Sequence, residues 1–259
     1  MDRLDVLAIA AHRDDAELSC GGTLIRSADQ GYATGVIDLT AGEMGTRGSA
    51  AVRAAEADEA ARVMGLRVRL NAELPDGGIF NTQANRVRVA GLLRALRPRV
   101  VILPFWRGRH PDHRLASELA RDACYLSGLA RWPDGATPDD GDQDAAASAG
   151  GQGDERIAHR PDKILYTLSY REDAPKPTFV VDISEQFERK LAAIRCYGSQ
   201  FDDALAAGEL FPTGQSLYEL VETQNRHYGS LIRTGFGEPF YTEETMRVDD
   251  VAGLGVRSM

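Results

Sequence analysis

A histidine and two aspartates stand within four positions, directly after a predicted buried strand. One residue separates His12 from the pair Asp14 and Asp15. Imidazole nitrogen and carboxylate oxygen are ligands that zinc accepts when no thiolate is available, and a catalytic zinc site has three protein ligands and one open position. His12 and Asp15 therefore fit as two of those ligands. The alternative is that an aspartate caps the following helix while His12 only packs.

A second cluster contains two more histidines on either side of an aspartate. His110, Asp112 and His113 follow another predicted strand, in a chain that has five histidines altogether. Two histidines three positions apart beside an aspartate are hard to explain by packing. His113 is the candidate third ligand, and Asp112 would orient a nearby imidazole, as carboxylates commonly do for zinc-bound histidines. His110 would donate to a developing oxyanion or protonate a leaving amine.

Strands and helices that alternate along the first half of the chain must bring the two clusters together. Strands are predicted at 4–11, 34–39, 68–70 and 100–104, and helices at 14–30, 50–64 and 85–96. This alternation predicts right-handed crossovers and an α/β fold, a Rossmann-like doubly wound, mainly parallel sheet with helices on both faces. In such sheets ligands bind beyond the carboxyl ends of the strands, where both clusters fall.

The second half is predicted to complete a single domain over residues 1–259. Strands at 163–168 and 178–182 and helices at 185–197 and 216–228 are predicted, followed by a tail. The segment 133–160 is rich in Asp, Gly, Ala, Gln and Ser and has almost no large apolar residue. Such a segment cannot bury a core and is longer than an ordinary loop, so we expect a flexible surface insertion.

Charge and composition argue against several classes of protein. The 39 acidic residues outnumber the 30 Lys and Arg, which gives a net charge of −9, whereas a nucleic-acid-binding surface needs a net basic face. Cys20, Cys124 and Cys196 form no CxxC pair, so neither a disulfide framework nor a thiolate zinc site is expected. The first residues lack the basic start of a signal peptide, and no run approaches the ~18 apolar residues of a membrane span. We therefore expect a cytoplasmic protein with neither nucleic acid nor membrane as partner.

Together with further motifs, the two clusters resemble the LmbE/PIG-L family of zinc-dependent N-acetylglucosamine deacetylases. The resemblance covers most of the chain apart from the low-complexity segment. Besides the two clusters and Glu17, the motifs that carry it are Gly21-Gly22-Thr23-Leu24 and Asp38-Leu39-Thr40-Ala41-Gly42-Glu43. Three more are similar to the bacillithiol-biosynthesis branch, which deacetylates N-acetylglucosaminyl-malate: Gly42-Glu43-Met44-Gly45-Thr46-Arg47-Gly48, Leu74-Pro75-Asp76-Gly77-Gly78 and Tyr197-Gly198-Ser199-Gln200-Phe201.

The resemblance implies a hydrolase that removes acetate from an N-acetylglucosaminide, most closely N-acetyl-α-D-glucosaminyl L-malate. It implies Zn²⁺ held by His12, Asp15 and His113, although such ligands also accept another divalent metal such as Fe²⁺. Zinc would lower the pKa of a bound water to about 7, and Asp14 would act as the general base. The partner is then a small N-acetylated sugar, and the chain forms a homo-oligomer, either a trimer or a hexamer.

Three further side chains receive roles from the same resemblance. His110 is the cationic partner of the tetrahedral oxyanion and the leaving group, and Tyr197 supplies a hydroxyl that helps to hold the oxyanion. Arg53 matches an arginine that binds the malate carboxylate. Arg47 and Arg109 are further substrate-binding candidates, because guanidinium pairs bidentately with carboxylate.

Arg13 departs from the family pattern, which has proline between the histidine and the first aspartate. Proline fixes φ and removes an amide donor, so it stiffens the turn that aims His12 and Asp15 at one point. Arginine would loosen that turn and place a charge near the metal. We therefore expect retained zinc binding with altered activity.

Three alternatives stay open on the residues alone. The same scaffold could serve a deacetylase or amidase of another small N-acylated glycoside or thiol conjugate. The chain could also be a catalytically impaired binding homologue, with Arg13 as its sign. A nucleotide-binding Rossmann enzyme is disfavoured, because the first strand leads into His12 and not into the GxGxxG turn that a dinucleotide requires.

Overall fold

Seven strands form one sheet in the computed structural model, which describes residues 3–133, 157–170, 173–201 and 216–256. The strands are β1 (Val6–Ala10), β2 (Thr34–Thr40), β3 (Val68–Leu74), β4 (Val100–Pro104), β5 (Lys163–Thr167), β6 (Phe179–Asp182) and β7 (Gly237–Tyr241). Their order across the sheet is β3-β2-β1-β4-β5-β7-β6. The first five are parallel, whereas β7 is antiparallel to both of its neighbours.

Helices cover both faces of this sheet. They are α1 (Asp15–Asp29), α2 (Ala50–Met64), α3 (Gln83–Leu96), α4 (Pro111–Leu126), α5 (Phe187–Arg195), α6 (Gly198–Phe201) and α7 (Leu217–Leu231). Helices α1, α2 and α5 pack together on one face, and α3 packs with α4 on the other. Both faces of the central strands are therefore covered, and all seven residues of β2 are buried. The predicted mainly parallel α/β sheet with helices on both faces is confirmed.

Three elements were not predicted from the sequence, and one of them is the four-residue helix α6. Helix α4 begins at Pro111, inside the second histidine cluster, and its buried face is made largely of small residues such as Ala116, Ala120 and Ala123. The buried residues Ala116, Leu119, Ala120 and Ala123 recur at helical spacing, so the sequence carries a periodic signal for α4 that the prediction did not use. Strand β7 contains glycine and proline, which are poor strand formers, and it forms because β5 and β6 pair with its two edges.

Three further predictions concern the end of β3, the insertion at 133–160 and the absence of a membrane span. Strand β3 runs on to Leu74, four residues beyond its predicted end, with a register irregularity against β2. Most of the predicted insertion at 133–160, namely residues 134–156, lies outside the described residues. None of the described helices is long and apolar enough to cross a membrane.

The order of the strands creates a crevice at the centre of the sheet. Strand β1 lies between β2 and β4, and the chain order reverses between β1 and β4. The loops that follow these two strands therefore leave the sheet in opposite directions. The crevice between two such loops is the place where ligands bind in open α/β sheets. His12 follows β1, and His110 stands at the start of α4 after β4. The fold thus brings the two histidine clusters to one crevice.

Candidate active site

The turn from β1 into α1 presents the first cluster. Asp14 has φ 120° and ψ −28°, a conformation that residues other than glycine rarely adopt. Its side chain makes no capping hydrogen bond to α1. Asp15 Oδ2 instead accepts from the backbone N–H of His12 at 2.9 Å, which ties the Asp15 carboxylate to this turn. The structure therefore does not favour a helix-capping role for Asp14.

His12, Asp15 and His113 lie together as a possible ligand set. His12 Nδ1 is 3.3 Å from Asp15 Oδ2, and His113 Nε2 is 3.1 Å from Asp15 Oδ1. Ligand atoms on a tetrahedral zinc are about 3.3 Å apart, given bond lengths of about 2.0–2.1 Å. One ligand atom from each residue lies within 4.8 Å of the others. The donor types and spacing fit a divalent cation.

Two aspartates contact the far nitrogen of His12. His12 Nε2 is 3.1 Å from Asp76 Oδ1 and 3.3 Å from Asp112 Oδ2. If Nε2 carries the proton and donates it to these carboxylates, Nδ1 is left with a lone pair toward Asp15 and the cation position. The predicted orienting contact of Asp112 with an imidazole is thus present in the structure. Sequence reasoning assigned no role to Asp76.

The charges around His12 favour a positive charge at this position. Burial lowers the pKa of His12, but the hydrogen bond and charge of Asp15, with the charges of Asp76 and Asp14, raise it to about 9. Burial alone would raise the pKa of Asp15, but His113 and His12 outweigh this and hold it well below its ordinary value. The Oδ1 atom of Asp112 is buried without a hydrogen-bond partner in the described part of the chain. A cation bound by His12, Asp15 and His113 would add positive charge beside these carboxylates.

Asp14 lies beside the ligand set with Arg53 behind it. Burial, followed by the charge of Asp15, raises the pKa of Asp14 to about 8, although Arg53 opposes this shift. Arg53 Nη2 is 3.4 Å from Asp14 Oδ2. A carboxyl group that titrates near neutrality can take up and return a proton. A cation on the adjacent ligands would favour its ionised form.

Arg53 is buried, with only 5% of its surface exposed. It donates to the carbonyl of Gly42 at 2.9 Å and to that of Arg13 at 3.1 Å. Gly42 has φ 69°, and a Cβ there would lie 2.2 Å from Arg53 Nη1, so the loop closes around the guanidinium. Its predicted contact with a substrate carboxylate is not favoured by this placement. The guanidinium is instead engaged with the loop and with Asp14.

His110 and Arg109 are exposed at the opening of the crevice, and Arg47 is half-buried in the loop after β2. The ring of His110 lies 4.9 Å from that of His12 and 4.9 Å from that of His113. Its Nδ1 accepts from Asp112 N at 3.2 Å, which leaves Nε2 as the nitrogen that can donate. Burial, together with the charges of His113 and His12, lowers the pKa of His110.

Tyr197 lies inside the fold and not at this opening. Its side chain is fully buried, and its hydroxyl donates to Glu17 Oε1 at 2.9 Å. Glu17 also pairs with Arg69, which binds both oxygens of Asp38 at 2.7 and 2.8 Å. Glu17 holds the hydroxyl in this buried network, and the contact of Tyr197 with an oxyanion stays a prediction.

The residues without a predicted role differ in the signal that could have found them. Asp76 stands just after β3, at the same edge of the sheet as His12, so the rule that located His12 applies to it as well. Glu17 belongs to a quoted motif. Arg69 lies within β3, and its partner Asp38 lies within β2, so their contact follows only from the pairing of the two strands.

Comparisons with known proteins agree with this geometry. The profile of the PIG-L family, described as GlcNAc-PI de-N-acetylase, matches residues 7–124 and so includes both histidine clusters. The crystal structure of a conserved protein from Thermus thermophilus is 35% identical, with a TM-score of 0.75, and covers 95% of this chain and 98% of that chain.

Two curated relatives have different activities. The diacetylchitobiose deacetylase of Thermococcus kodakarensis is 29% identical over 209 residues, which are 76% of this chain and 70% of that protein. The 4-oxalmesaconate hydratase of Pseudomonas putida is 26% identical over 211 residues, which are 75% of this chain and 73% of that protein. The relatives of this chain thus include both a deacetylase and a hydratase.

Proposed function

The chain belongs to the PIG-L family, and we propose on that basis that it is a metal-dependent deacetylase of a small molecule containing N-acetylglucosamine. The observation that carries the proposal is the group of His12, Asp15 and His113 with the carboxyl of Asp14 beside it. The family description and the diacetylchitobiose deacetylase, which acts on an N-acetylated sugar, support the same reaction.

His12, Asp15 and His113 would hold the metal. Two imidazoles and a carboxylate suit Zn²⁺ and also accept Fe²⁺, so zinc is the expected but not the exclusive occupant. A divalent cation bound there would polarise a carbonyl and lower the pKa of a water. Asp76 and Asp112 would keep the His12 ring oriented through their contacts with Nε2.

Asp14 and His110 would move the protons. Asp14 would take a proton from the attacking water and deliver it to the leaving nitrogen, with Arg53 holding one carboxylate oxygen in place. The exposed His110 would donate from Nε2 to the carbonyl oxygen as negative charge develops on it. The bond that breaks joins the acetyl carbon to nitrogen, and the products are acetate and a free amine.

The finer proposal is that the substrate is N-acetyl-α-D-glucosaminyl L-malate. Arg47 and Arg109 support an anionic aglycone, because both belong to loops at the carboxyl edge of the sheet. Another N-acylated glycoside or thiol conjugate is the alternative. A homo-oligomer, either a trimer or a hexamer, and a cytoplasmic location belong to the same proposal, and sedimentation analysis would test the oligomer.

The test is release of amine from a panel of acetylated sugars by the zinc-loaded protein. The panel contains N-acetylglucosaminyl-malate, N,N′-diacetylchitobiose and N-acetylglucosaminyl-inositol. Asp14→Asn should lower kcat by about 10²–10⁴-fold, the usual contribution of a general base, with the metal content unchanged. Asp122→Asn, which changes an aspartate on the outer part of α4, is the matched control. Equal rates for wild type and Asp14→Asn would contradict the proposal.

A hydratase is the second candidate, because one curated relative is the 4-oxalmesaconate hydratase. Hydration of a carbon–carbon double bond would use the same water-activating carboxylate, and the arginines would bind substrate carboxylates. Loss of the ultraviolet absorbance of 4-oxalmesaconate, with no amine released from any acetylated sugar, would favour this function over the deacetylase.

A further inference from the structure

Arg13 links the turn after β1 to the beginning of α2. Its Nη1 donates to the carbonyl oxygen of Ala50, the first residue of α2, at 2.8 Å. In the opposite direction, Arg53 from the first turn of α2 donates to the carbonyl oxygen of Arg13 at 3.1 Å. The same guanidinium contacts Asp14 Oδ2 at 3.4 Å. The turn and the helix therefore hold each other through two arginines.

The backbone at Asp14 requires such support. A non-glycine residue with φ near 120° is strained, and such strain persists only where the surrounding structure over-determines the conformation. The Asp14 side chain makes no capping hydrogen bond to α1, and its carbonyl oxygen accepts from Leu18 N at 3.1 Å. The groups that hold the turn on its outer side are the guanidiniums of Arg13 and Arg53, both of which bind backbone carbonyls.

Arg13 also connects the turn with the loop that carries Arg47. Residues 41–49 lead from β2 into α2, and Arg53 binds this loop at the carbonyl of Gly42. Because Arg13 binds the first residue of α2, the end of the loop and the Asp14 turn are fixed against the same helix. A shift of the loop would therefore also move the Asp14 turn.

We propose that Arg13 is a positioning residue that holds the strained Asp14 turn against the N-terminal turn of α2. This differs from the expectation that arginine loosens the turn, since the side chain supplies a tether to a neighbouring helix. The effect on catalysis rests on the proposed role of Asp14 as the base. The tether itself does not depend on that role.

Hydrogen–deuterium exchange of the zinc-loaded full chain tests the tether. Arg13→Ala should speed exchange about tenfold in the peptides covering residues 12–17 and 49–54, as expected for loss of one charge-assisted hydrogen bond. Arg13→Lys, which can still donate to the Ala50 carbonyl, should restore part of the protection. Arg62→Ala is the matched control, because Arg62 is an exposed arginine of the same helix that pairs with Glu59. Unchanged exchange in Arg13→Ala would overturn the proposal.

Steady-state kinetics with the best acetylated sugar tests the positioning. Arg13→Ala should lower kcat about tenfold while KM and zinc content stay within about twofold, and Arg13→Lys should recover part of kcat. A raised KM with unchanged kcat would overturn the proposal, because Arg13 would then bind substrate. Faster exchange with unchanged kcat would also overturn it. If the wild type hydrolyses no acetylated sugar but Arg13→Ala still speeds exchange, the proposed function fails and the tether stands.

Discussion

Helix α1 lies between two groups of buried carboxylates that differ in charge balance. At its N-terminus, Asp15, Asp76 and Asp112 are within 3.3 Å of His12, and Asp14 lies close by. At its kink at Cys20, Glu238 accepts hydrogen bonds from Gly22 N, Thr23 N, Thr23 Oγ1 and Lys190 Nζ. The first group has an excess of negative charge, whereas the second is compensated.

This difference separates the functional part of the fold from a structural one. Lys190 and Glu238 are both fully buried, and Glu238 satisfies the two backbone N–H groups near the kink. Nothing remains there for a ligand to supply. The carboxyl groups near His12, namely those of Asp14, Asp15, Asp76 and Asp112, outnumber the guanidinium of Arg53 beside them, and a bound cation would add positive charge there. The buried charge of Glu238 is thus part of the structural framework, because Lys190 pairs with it. The carboxylates near His12 are suited to bind a cation, because they are not fully paired.

The largest expected effect is on the compensated group. Lys190→Met leaves Glu238 buried without its charge partner, which should lower the free energy of unfolding by about 3–5 kcal/mol. Urea denaturation measures this change. Arg189→Met is the matched control, because Arg189 pairs with Asp29 at the surface, and it should cost under about 1 kcal/mol. An equal loss of stability in both variants would show that Lys190 does not stabilise the fold by compensating the buried charge of Glu238.

A smaller effect on stability is expected when a cation binds to His12, Asp15 and His113. Zinc at about 100 times its Kd should stabilise the wild type by about 2.7 kcal/mol relative to chelated protein, because it binds only the folded ligand set. His113→Ala should lose most of this gain, since one ligand is missing. His227→Ala removes an exposed histidine of α7 and should keep the full gain. Thermal unfolding with and without chelator measures all three, and equal gains in both variants would argue against a ligand role for His113.

The smallest expected effect comes from the carboxylates behind His12. Asp76→Asn keeps the shape of the side chain but removes its charge, which should weaken zinc binding about 10–100-fold. Competition with a chromophoric chelator measures the affinity. Asp29→Asn, at the surface pair with Arg189, is the control and should leave the affinity unchanged. An unchanged affinity in Asp76→Asn would show that its contact with Nε2 does not tune the ligand.

Much of the fold could be predicted because its signal is local. The buried runs of β1, β2 and β4 and the alternation with helices indicate a parallel sheet covered on both faces. Strand β7 was missed for a physical reason, whereas helix α4 was missed although its buried residues recur at helical spacing. Strand β7 contains glycine and proline, so its neighbours decide its conformation.

The candidate site divides in the same way. His12, Asp15 and His113 could be grouped from the sequence, because residues after neighbouring parallel strands meet at one edge of the sheet. The burial of Tyr197 and Arg53 could not be predicted, because the sequence does not tell which way a side chain points once the helices pack. Asp76 also follows a parallel strand, so the same rule places it at this edge, but the sequence analysis gave it no role.

The sequence by itself determined the residue types and their places at strand ends, because hydrophobic runs, turns and motif spacing are properties of neighbouring residues. Only the tertiary structure decided which charges are paired. The hydrogen bond from Arg13 to Ala50, the contact of Arg53 with Asp14 and the burial of Tyr197 against Glu17 join residues far apart in the chain. Such contacts depend on how α1, α2 and α5 pack on the sheet, and that packing sets the charge balance of the site.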